Sequence, residues 1–354
     1  MERLHRSLER ANLAIGKLDG VTSVLPDAPL FIYMYIRKEA LLSSQIEGTQ
    51  SSLSDLLLYE SQEAPGAPID DVREVSNYVA AMNHGLDRLK DGFPLSARLI
   101  REIHEVLLSS GRGSTKQPGE FRSSQNWIGG TKPSNAVFVP PPPERVLDLM
   151  SDLEKFIHAD TPNIPTLVKV GLVHVQFETI HPFLDGNGRI GRLLITFILC
   201  AAKILYEPIL YLSLFFKTHR EIYYELLQKV RFEGDWEGWL EFFLEGIAQV
   251  SIQAAETARE ILELIETDRR KIQSLGRPAA SALQVHQLFQ TKPLITIPDA
   301  AAHLQLSRPT ISKSMKHMAD LGILVDTTGK RRARLFVYGK YLAILSRGTE
   351  PVQS

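Results

Sequence analysis

Residues 181–192, which read H-P-F-L-D-G-N-G-R-I-G-R, combine the side chains needed to handle a metal-bound polyphosphate next to a hydroxyl group. His181 has an ordinary pKa near neutrality, so its imidazole can act as a general base. Asp185 supplies a carboxylate of the kind that binds Mg²⁺ together with phosphate oxygens. Phe183 lies between them and is expected to point into the core and fix the loop.

The glycine-rich turn and the helix predicted to follow it have the features of an anion site. Glycines in the turn permit positive φ and let a phosphate approach the backbone. A helix that begins there presents unpaired N–H groups. Arg189 and Arg192 are three residues apart and share one face of that helix, where two guanidinium groups can bind successive phosphates. The predicted site comprises Gly186, Asn187, Gly188, Arg189, Ile190, Gly191 and Arg192.

This segment matches the pattern H-x-F-x-D-G-N-G-R-x-x-R at every fixed position and resembles the signature of the Fic/Doc family. The best-known activity of that family is transfer of AMP from ATP to a protein hydroxyl. The resemblance covers roughly residues 1–250. It implies that ATP and Mg²⁺ are the cofactors, that His181 deprotonates a Ser, Thr or Tyr hydroxyl of a target protein or of the protein itself, and that Asp185 binds the Mg²⁺.

The resemblance also assigns the phosphate ligands. It implies that Asn187 contacts the α-phosphate, that Gly186, Gly188 and Arg189 surround the phosphate chain, and that Arg192 pairs with the γ-phosphate. Attack at the α-phosphorus then releases pyrophosphate. A kinase branch of the family typically has Lys at the position of Gly188, so this glycine favours AMP transfer over phosphate transfer.

Residues 43–48, S-S-Q-I-E-G, resemble the inhibitory pattern [S/T]-x-x-x-E-[G/N] of the same family. Ser43 and Glu47 are four residues apart on one helix face, so both can contact a common partner. The resemblance implies that this partner is Arg192, which Glu47 withholds from the γ-phosphate, and that the inhibitory helix belongs to the N-terminal class. The same glutamate could instead position a water for AMP removal. A de-adenylylating hydrolase is therefore the alternative enzyme.

The sequence predicts a mainly α-helical protein in three regions: an N-terminal helical region with the inhibitory helix (1–93), a Fic catalytic core (94–275) and a winged helix-turn-helix (276–354). Breakers in the interval 111–143 exclude a helix there. Short β-type runs predict a hairpin over residues 127–139 that resembles the family's flap and could pair with a target strand. Tyr223 or Tyr224 is expected to line the adenine pocket, with core packing an equal alternative for each. Helices are predicted over residues 28–44, 72–82, 97–108, 144–157, 166–179, 219–231 and 236–267.

The C-terminal region contains a helix-turn-helix pattern. Ser307 can cap a helix whose apolar face is Ile311, Met315 and Met318. Residues 308–340 contain eight Lys/Arg and two Asp, which concentrates positive charge on the second helix and on the predicted wing. Duplex DNA and a protein partner are both compatible with that face. The basic side chains are Arg308, Lys313, Lys316, Lys330, Arg331, Arg332 and Arg334.

Net charge, cysteine content and hydrophobicity argue against several other classes of protein. The 354 residues carry a net charge of -1, which gives the whole molecule no electrostatic reason to bind nucleic acid or membrane. Cys200 is the single cysteine, so no internal disulfide forms, and the apolar run around it is too short to span a membrane. We expect a cytoplasmic protein, and family members are commonly homodimers. The rival to an enzyme is a DNA-binding regulator whose Fic-like pocket senses nucleotide.

Overall fold

The computed structural model describes residues 2–23, 28–60, 69–327 and 334–351, and this part of the chain is mainly α-helical. A 3₁₀ turn at Pro133–Asn135 lies within the region of the predicted hairpin, and a second one at Pro143–Arg145 follows it. The helices are α1 (Glu2–Ser23), α2 (Ala28–Ile46), α3 (Leu53–Glu60), α4 (Ile69–Lys90), α5 (Ala97–Leu107), α6 (Val146–His158), α7 (Thr166–Ile180), α8 (Asn187–Ala201), α9 (Ser213–Thr218), α10 (Arg220–Glu233), α11 (Trp236–Gln273), α12 (Ala279–Thr291), α13 (Ile297–Leu304), α14 (Arg308–Asp320) and α15 (Gly339–Leu345).

Helix α8 lies at the centre of the fold because apolar side chains occur on all of its faces, as expected of a buried helix. It packs against α7, and the turn between the two helices contains residues 181–186. Helix α4 approaches α8 closely at Gly85, where an added Cβ would collide with the ring of Phe197. Helices α7 and α8 therefore hold the two ends of residues 181–192 in place.

Two predicted helices extend beyond their predicted ends. Helix α4 covers Ile69–Lys90 rather than residues 72–82, and α11 continues to Gln273 rather than residue 267. Helix α11 begins where Asp235 accepts a hydrogen bond from the backbone N–H of Gly238, and no glycine or proline interrupts it after Gly246. Helix α1 packs along it through Ala11, Ala14 and Ile15, which are buried. Tertiary packing thus stabilises helical residues beyond the ends that local sequence signals predict.

The region of the predicted hairpin folds back on itself, with one antiparallel bridge between Ile128 and Phe138. The N–H of Ile128 donates to the carbonyl of Phe138 at 2.9 Å, and the N–H of Val137 donates to the carbonyl of Ile128 at 2.9 Å. The 3₁₀ turn at Pro133–Asn135 occupies the tip. We call residues 127–139 the flap.

The C-terminal part contains α12–α15 and a three-stranded antiparallel sheet, β1 (Leu294–Thr296), β2 (Val325–Asp326) and β3 (Leu335–Val337), in the order β1-β3-β2. Ser307 caps α14, because its Oγ accepts from the N–H of Thr310 at 3.3 Å. The predicted apolar face of α14 is buried, and Arg308, Lys313 and Lys316 are exposed. Lys330, Arg331 and Arg332 lie outside the described residues. The assignment as a winged helix stays a prediction.

This C-terminal part contacts the rest of the protein. The hydroxyl of Tyr338 donates to Asp268 of α11 at 2.9 Å. Further on, the carbonyl of Thr349 accepts from the side-chain amide of Gln45 on α2 at 2.9 Å. The predicted boundary at residue 276 stays a prediction. Within the described ranges, the structure contains no helix with the length and hydrophobicity needed to cross a bilayer.

Candidate active site

His181 lies immediately after α7 in a left-handed backbone conformation, with φ of 50°. Its N–H donates to the carbonyl of Phe177 at 2.9 Å, which closes the helix. Positive φ is uncommon for a residue with a side chain, so the surrounding structure must hold it. Arg122 does so, since its Nε donates to the His181 carbonyl at 2.9 Å, and the amide of Asn126 donates to the same oxygen at 3.3 Å.

Two further side chains fix the loop after His181. The amide of Asn187 is bound at both ends by Phe183, accepting from its N–H at 2.8 Å and donating to its carbonyl at 2.8 Å. Asn187 thus has a structural role that the motif alone did not predict. His104 stacks on the ring of Phe183 with centroids 3.7 Å apart, and its Nε2 contacts the Asp185 carbonyl at 3.0 Å. Phe183 is fully buried, as predicted.

The tautomer of His104 follows from its contacts. Its Nδ1 accepts from the N–H of Gly119 at 2.9 Å, so Nε2 carries the proton and donates to the carbonyl of Asp185. Burial lowers the pKa of His104 to about 4, so the ring is neutral near pH 7. A neutral imidazole that is hydrogen-bonded at both ring nitrogens can hold the loop without adding charge to the predicted phosphate site.

The N-terminus of α8 forms the floor of the pocket. Gly186 is the N-cap with φ of 80°, and its N–H donates to Oδ1 of Asp185 at 2.6 Å. A glycine cap has no side chain to occupy the first-turn N–H groups, which are free to bind an anion. The arrangement matches the prediction of a helix start at a glycine-rich turn.

Arg192 is bound by the inhibitory pattern at the end of α2, where Ser43 lies in the last turn and Glu47 is the residue after the helix. Its Nε donates to Oγ of Ser43 at 2.8 Å, and its Nη2 donates to Oε1 of Glu47 at 2.6 Å. The contact that the resemblance predicted is therefore present. Burial acts to raise the pKa of Glu47, but the guanidinium of Arg192 outweighs it and the pKa is lowered, so the carboxylate is ionised. Glu47 also lies directly against Gly188, where no Cβ would fit.

Arg189 takes part in a second buried ion pair that the sequence did not reveal. Its Nη1 lies 2.8 Å from Oε1 of Glu74 on α4, and its Nη2 lies 3.5 Å from Oδ1 of Asp185. Arg112 also approaches Glu74, with 3.6 Å between Nε and Oε2. Glu74 thus orients Arg189 at the edge of the pocket, because a buried guanidinium needs a charged partner.

An open cavity of about 260 Å³ lies between these groups. Tyr224, whose side chain is partly exposed, lines its mouth, whereas Tyr223 is buried and its hydroxyl lies 2.9 Å from Nε2 of His174. The expectation that one tyrosine lines the pocket thus fits Tyr224 better. The wall includes Glu47, Trp127, Ile128, Glu178, His181, Leu184, Asp185, Gly186, Asn187, Gly188, Arg189, Arg192, Tyr223, Tyr224, Leu227, Gln228 and Arg231. Of the predicted site residues, Ser43, Ile190 and Gly191 lie behind this wall, and Ile190 is buried in the core.

The protonation state of His181 suits a base. Burial and the nearby guanidinium of Arg231 lower its pKa to about 4, so the imidazole is neutral near pH 7. Its Nδ1 lies 3.3 Å from the carbonyl oxygen of Glu178, which can only accept. Nδ1 therefore carries the proton, and Nε2 is left with the lone pair that a general base requires.

Asp185 is the residue that could hold Mg²⁺. Its side chain is 31% exposed and lies at the pocket beside the start of α8. Within the described residues, no three His, Cys, Asp or Glu side chains form a metal cluster. Mg²⁺ often binds through one or two carboxylates, with substrate phosphates and waters completing the shell. One exposed carboxylate beside a phosphate site therefore fits an ion that arrives with the nucleotide.

Several functional positions escaped prediction from sequence. Arg122 ends the segment P-G-E-F-R (118–122), whose proline and glycine favour a structural turn. A buried histidine on an apolar helix face, such as His104, is usually a core residue, and nothing local marked Glu74. Only the fold brings these side chains to the motif, so no spacing rule could identify them.

Two family models match this chain. The family model described as "Fic/DOC family N-terminal" matches residues 5–87, and the one described as "Fic/DOC family" matches residues 94–199. Together they cover more than half of the chain. The second match contains the whole motif, and the first contains Ser43 and Glu47.

Curated relatives carry the name "Protein adenylyltransferase Fic". The protein from Aedes aegypti is 30% identical over 259 residues, which are 68% of this chain and 49% of that protein. The one from Culex quinquefasciatus is 32% identical over 205 residues, which are 56% of this chain and 38% of that protein. The chain thus spans about half the length or less of these relatives.

Solved structures show the same fold. A Fic family protein from Desulfovibrio desulfuricans G20 has a TM-score of 0.61 at 22% identity and covers 96% of both chains. A Fic domain containing signaling protein from Bacteroides thetaiotaomicron has a TM-score of 0.57 at 21% identity, over 70% of this chain and 95% of that one. With the family models, the site geometry and these folds in agreement, the chain belongs to the Fic/DOC family.

Proposed function

We propose that this protein transfers AMP from ATP to Ser, Thr or Tyr hydroxyls of target proteins, which include the protein itself. One observation carries the proposal: the neutral imidazole of His181 opens onto the same cavity as the α8 N-terminus and the guanidinium of Arg192. A base and a triphosphate site therefore share one space. The names of the curated relatives support the same activity.

In the proposed reaction, the first turn of α8 and Arg192 bind the phosphate chain. Nε2 of His181 accepts the proton of the target hydroxyl while that oxygen forms a bond to the α-phosphorus. The bond from the α-phosphorus to the bridging oxygen breaks, and pyrophosphate leaves with the electron pair. Mg²⁺, held by Asp185, would neutralise charge on the phosphate oxygens.

We further propose that Glu47 inhibits this reaction. Its carboxylate occupies Arg192 at 2.6 Å and lies against Gly188, the backbone surface that a phosphate would contact. Arg192 cannot then pair with the γ-phosphate, and the triphosphate would bind in a pose that does not present its α-phosphorus to His181. Removing the Glu47 side chain makes both the Arg192 guanidinium and the backbone at Gly188 accessible to the triphosphate.

Parallel incubations with α-labelled and γ-labelled ATP test the proposal. The Glu47→Gly variant should incorporate the α-label into protein at a higher rate than wild type and should not incorporate the γ-label. The double variant Glu47→Gly, His181→Ala should lose the incorporation. Asp91→Gly, which removes an exposed carboxylate just after α4, is the control and should match wild type. Equal α-label rates for Glu47→Gly and wild type would remove the inhibitory role, and γ-label transfer would identify a kinase.

The alternative enzyme, a de-adenylylating hydrolase, is tested with the modified protein as substrate. If Glu47 positions a water, wild type should release AMP from adenylylated protein and Glu47→Gly should not. If Glu47 only inhibits transfer, neither variant should release AMP. The two roles thus predict opposite results in one assay.

A second function is proposed for the C-terminal part, namely binding of duplex DNA through α14. The observation that favours it is the segregation of α14 into a buried apolar face and an exposed basic one that includes Arg308, Lys313 and Lys316. Binding through phosphate contacts should weaken steeply as salt rises, and each lost contact should reduce the slope by about 1. Affinity that does not change with salt would favour a protein partner for this face.

A further inference from the structure

Glu178 has a buried carboxyl group in the wall of the cavity, one turn before His181, and no role assigned above. Its side chain is 7% exposed. Oε2 lies 3.9 Å from Nδ1 of His181, and Oε1 has no hydrogen-bond partner within the described residues. A buried carboxyl oxygen without a hydrogen-bond partner destabilises the folded protein. Its presence beside a catalytic base therefore indicates a functional role.

The position of this carboxyl group depends on Gly191. An added Cβ on Gly191 would collide with Oε1 of Glu178, so a larger residue there would push the carboxyl group away. Glycine at this point of α8 thus leaves a slot into which the Glu178 side chain fits. Glu178 and His181 are three residues apart, but His181 follows the end of α7, and its backbone turns the imidazole toward Glu178.

We propose that Glu178 is a positioning residue that orients the imidazole of His181 and stabilises its charge once His181 has accepted the hydroxyl proton. The proposal rests on the AMP-transfer function above. In the step, the proton passes from the target hydroxyl to Nε2, and the proton on Nδ1 stays there. Nδ1–H is directed at the backbone carbonyl of Glu178, and the carboxylate, 3.9 Å from Nδ1, acts through its charge, so no proton is transferred to Glu178.

The other charges around His181 explain why such a partner is needed. Arg231 from α10 and Arg122 from the loop before the flap both oppose a positive charge on the imidazole. Glu47, directly after α2, favours that charge, but in the active state Glu47 must leave Arg192. Arg192 on α8 then faces the same cavity without its partner. Glu178 is the carboxylate that remains beside the imidazole.

The charge of Glu178 depends on pH in the working range. Burial raises the pKa of Glu178 to about 7, against the opposing effect of Arg192 and Arg231. Above that pH the carboxylate is ionised and can stabilise the imidazolium. The rate of AMP transfer should therefore rise as pH increases through about 7.

The kinetic test uses the Glu47→Gly protein as the reference, with Glu178→Gln added to it. Loss of one stabilising partner should lower kcat about tenfold, less than the roughly 100-fold or more that a proton-transfer group itself contributes, with the KM for ATP unchanged. Removing the Glu47 charge lowers the pKa of Glu178 below its value in wild type, so kcat of the reference should rise with pH below about 7, and Glu178→Gln should abolish that rise. Glu225→Gln, which removes an exposed carboxylate on α10, is the matched control and should leave the profile as it was. An unchanged kcat and pH profile in Glu178→Gln would overturn the proposal.

A second measurement does not depend on activity. The ¹³Cε1 resonance of His181, identified by its absence in His181→Gln, is followed against pH by NMR. In wild type it should show an inflection near pH 7 as Glu178 ionises, and Glu178→Gln should abolish that inflection. If AMP transfer is absent, but wild type shows the inflection and Glu178→Gln lacks it, only the proposed function fails. If AMP transfer is present and the inflection persists in Glu178→Gln, only the role of Glu178 fails.

Discussion

One guanidinium group, that of Arg192, is bound by two residues one helical turn apart: Oγ of Ser43 at 2.8 Å and Oε1 of Glu47 at 2.6 Å. Nη2 of Arg192 also donates to the carbonyl of Ser43 at 3.1 Å. Helix α2 therefore covers the edge of the guanidinium that a γ-phosphate would use. Because Ser43 lies in the last turn of α2 and Glu47 directly follows that helix, both contacts should be released together when the end of α2 moves.

Ser43→Ala should relieve part of the inhibition. The change removes one acceptor from a buried guanidinium, and hydrogen bonds to charged groups are worth about 1.5–3 kcal/mol. Part of this is retained through Glu47, so we expect basal α-label incorporation to rise about fivefold, less than in Glu47→Gly. Ser44→Ala is the control. Its Oγ is also buried but has no hydrogen-bond partner within the described residues, so its rate should equal that of wild type.

Arg122→Lys should lower kcat while leaving the KM for ATP unchanged. Lysine keeps the charge but lacks the planar fork that holds the backbone of His181, so the strained residue loses its support. Misplacement of a catalytic group by about 1 Å can cost about 100-fold in rate, and we expect a loss of that order in the Glu47→Gly background. Arg145→Lys at an exposed position is the control. A changed KM with unchanged kcat would contradict the positioning role.

The stability of Glu178→Gln relative to wild type should depend on pH with a defined sign. Burial raises the pKa of Glu178 from 4.5 in the unfolded chain to about 7 in the folded protein. Between these values the unfolded chain releases the proton while the folded protein keeps it, so the stability of wild type falls as pH rises. Above about 7 no further loss occurs. Relative to wild type, the variant should therefore gain up to about 3 kcal/mol between pH 4.5 and pH 8 in urea unfolding. A pH-independent difference would contradict the buried, protonated carboxyl group.

Shortening the chain after Ser346 should loosen α2. The side chain of Gln45 donates to the carbonyl of Thr349 at 2.9 Å, and Lys217 donates to the carbonyl of Gly348 at 3.2 Å. Loss of these acceptors should speed amide hydrogen exchange in residues 40–47 and raise basal AMP transfer. In the Glu47→Gly background the same truncation should produce no further increase, because the inhibitory carboxylate is already gone. A further increase there would show that the tail acts elsewhere.

The features predicted from sequence are those that local spacing determines. The glycine-rich turn before α8, the burial of Phe183 and the capping of α14 by Ser307 each depend on residues a few positions apart. Spacing could not reveal the partners of His181 and Arg189, because Arg122 and Glu74 lie 59 and 115 residues away in the chain. The contact of Glu47 with Arg192 spans 145 residues, and only the family resemblance predicted it.

We propose that His181 and the phosphate site at the start of α8 together transfer AMP to a hydroxyl. The decisive measurement is mass spectrometry of the Glu47→Gly protein after incubation with ATP and Mg²⁺. We predict an added adenylyl group on a Ser, Thr or Tyr side chain, absent when His181→Ala is combined with Glu47→Gly. An added mass of a single phosphate, or an adenylyl group that persists without His181, would contradict the account.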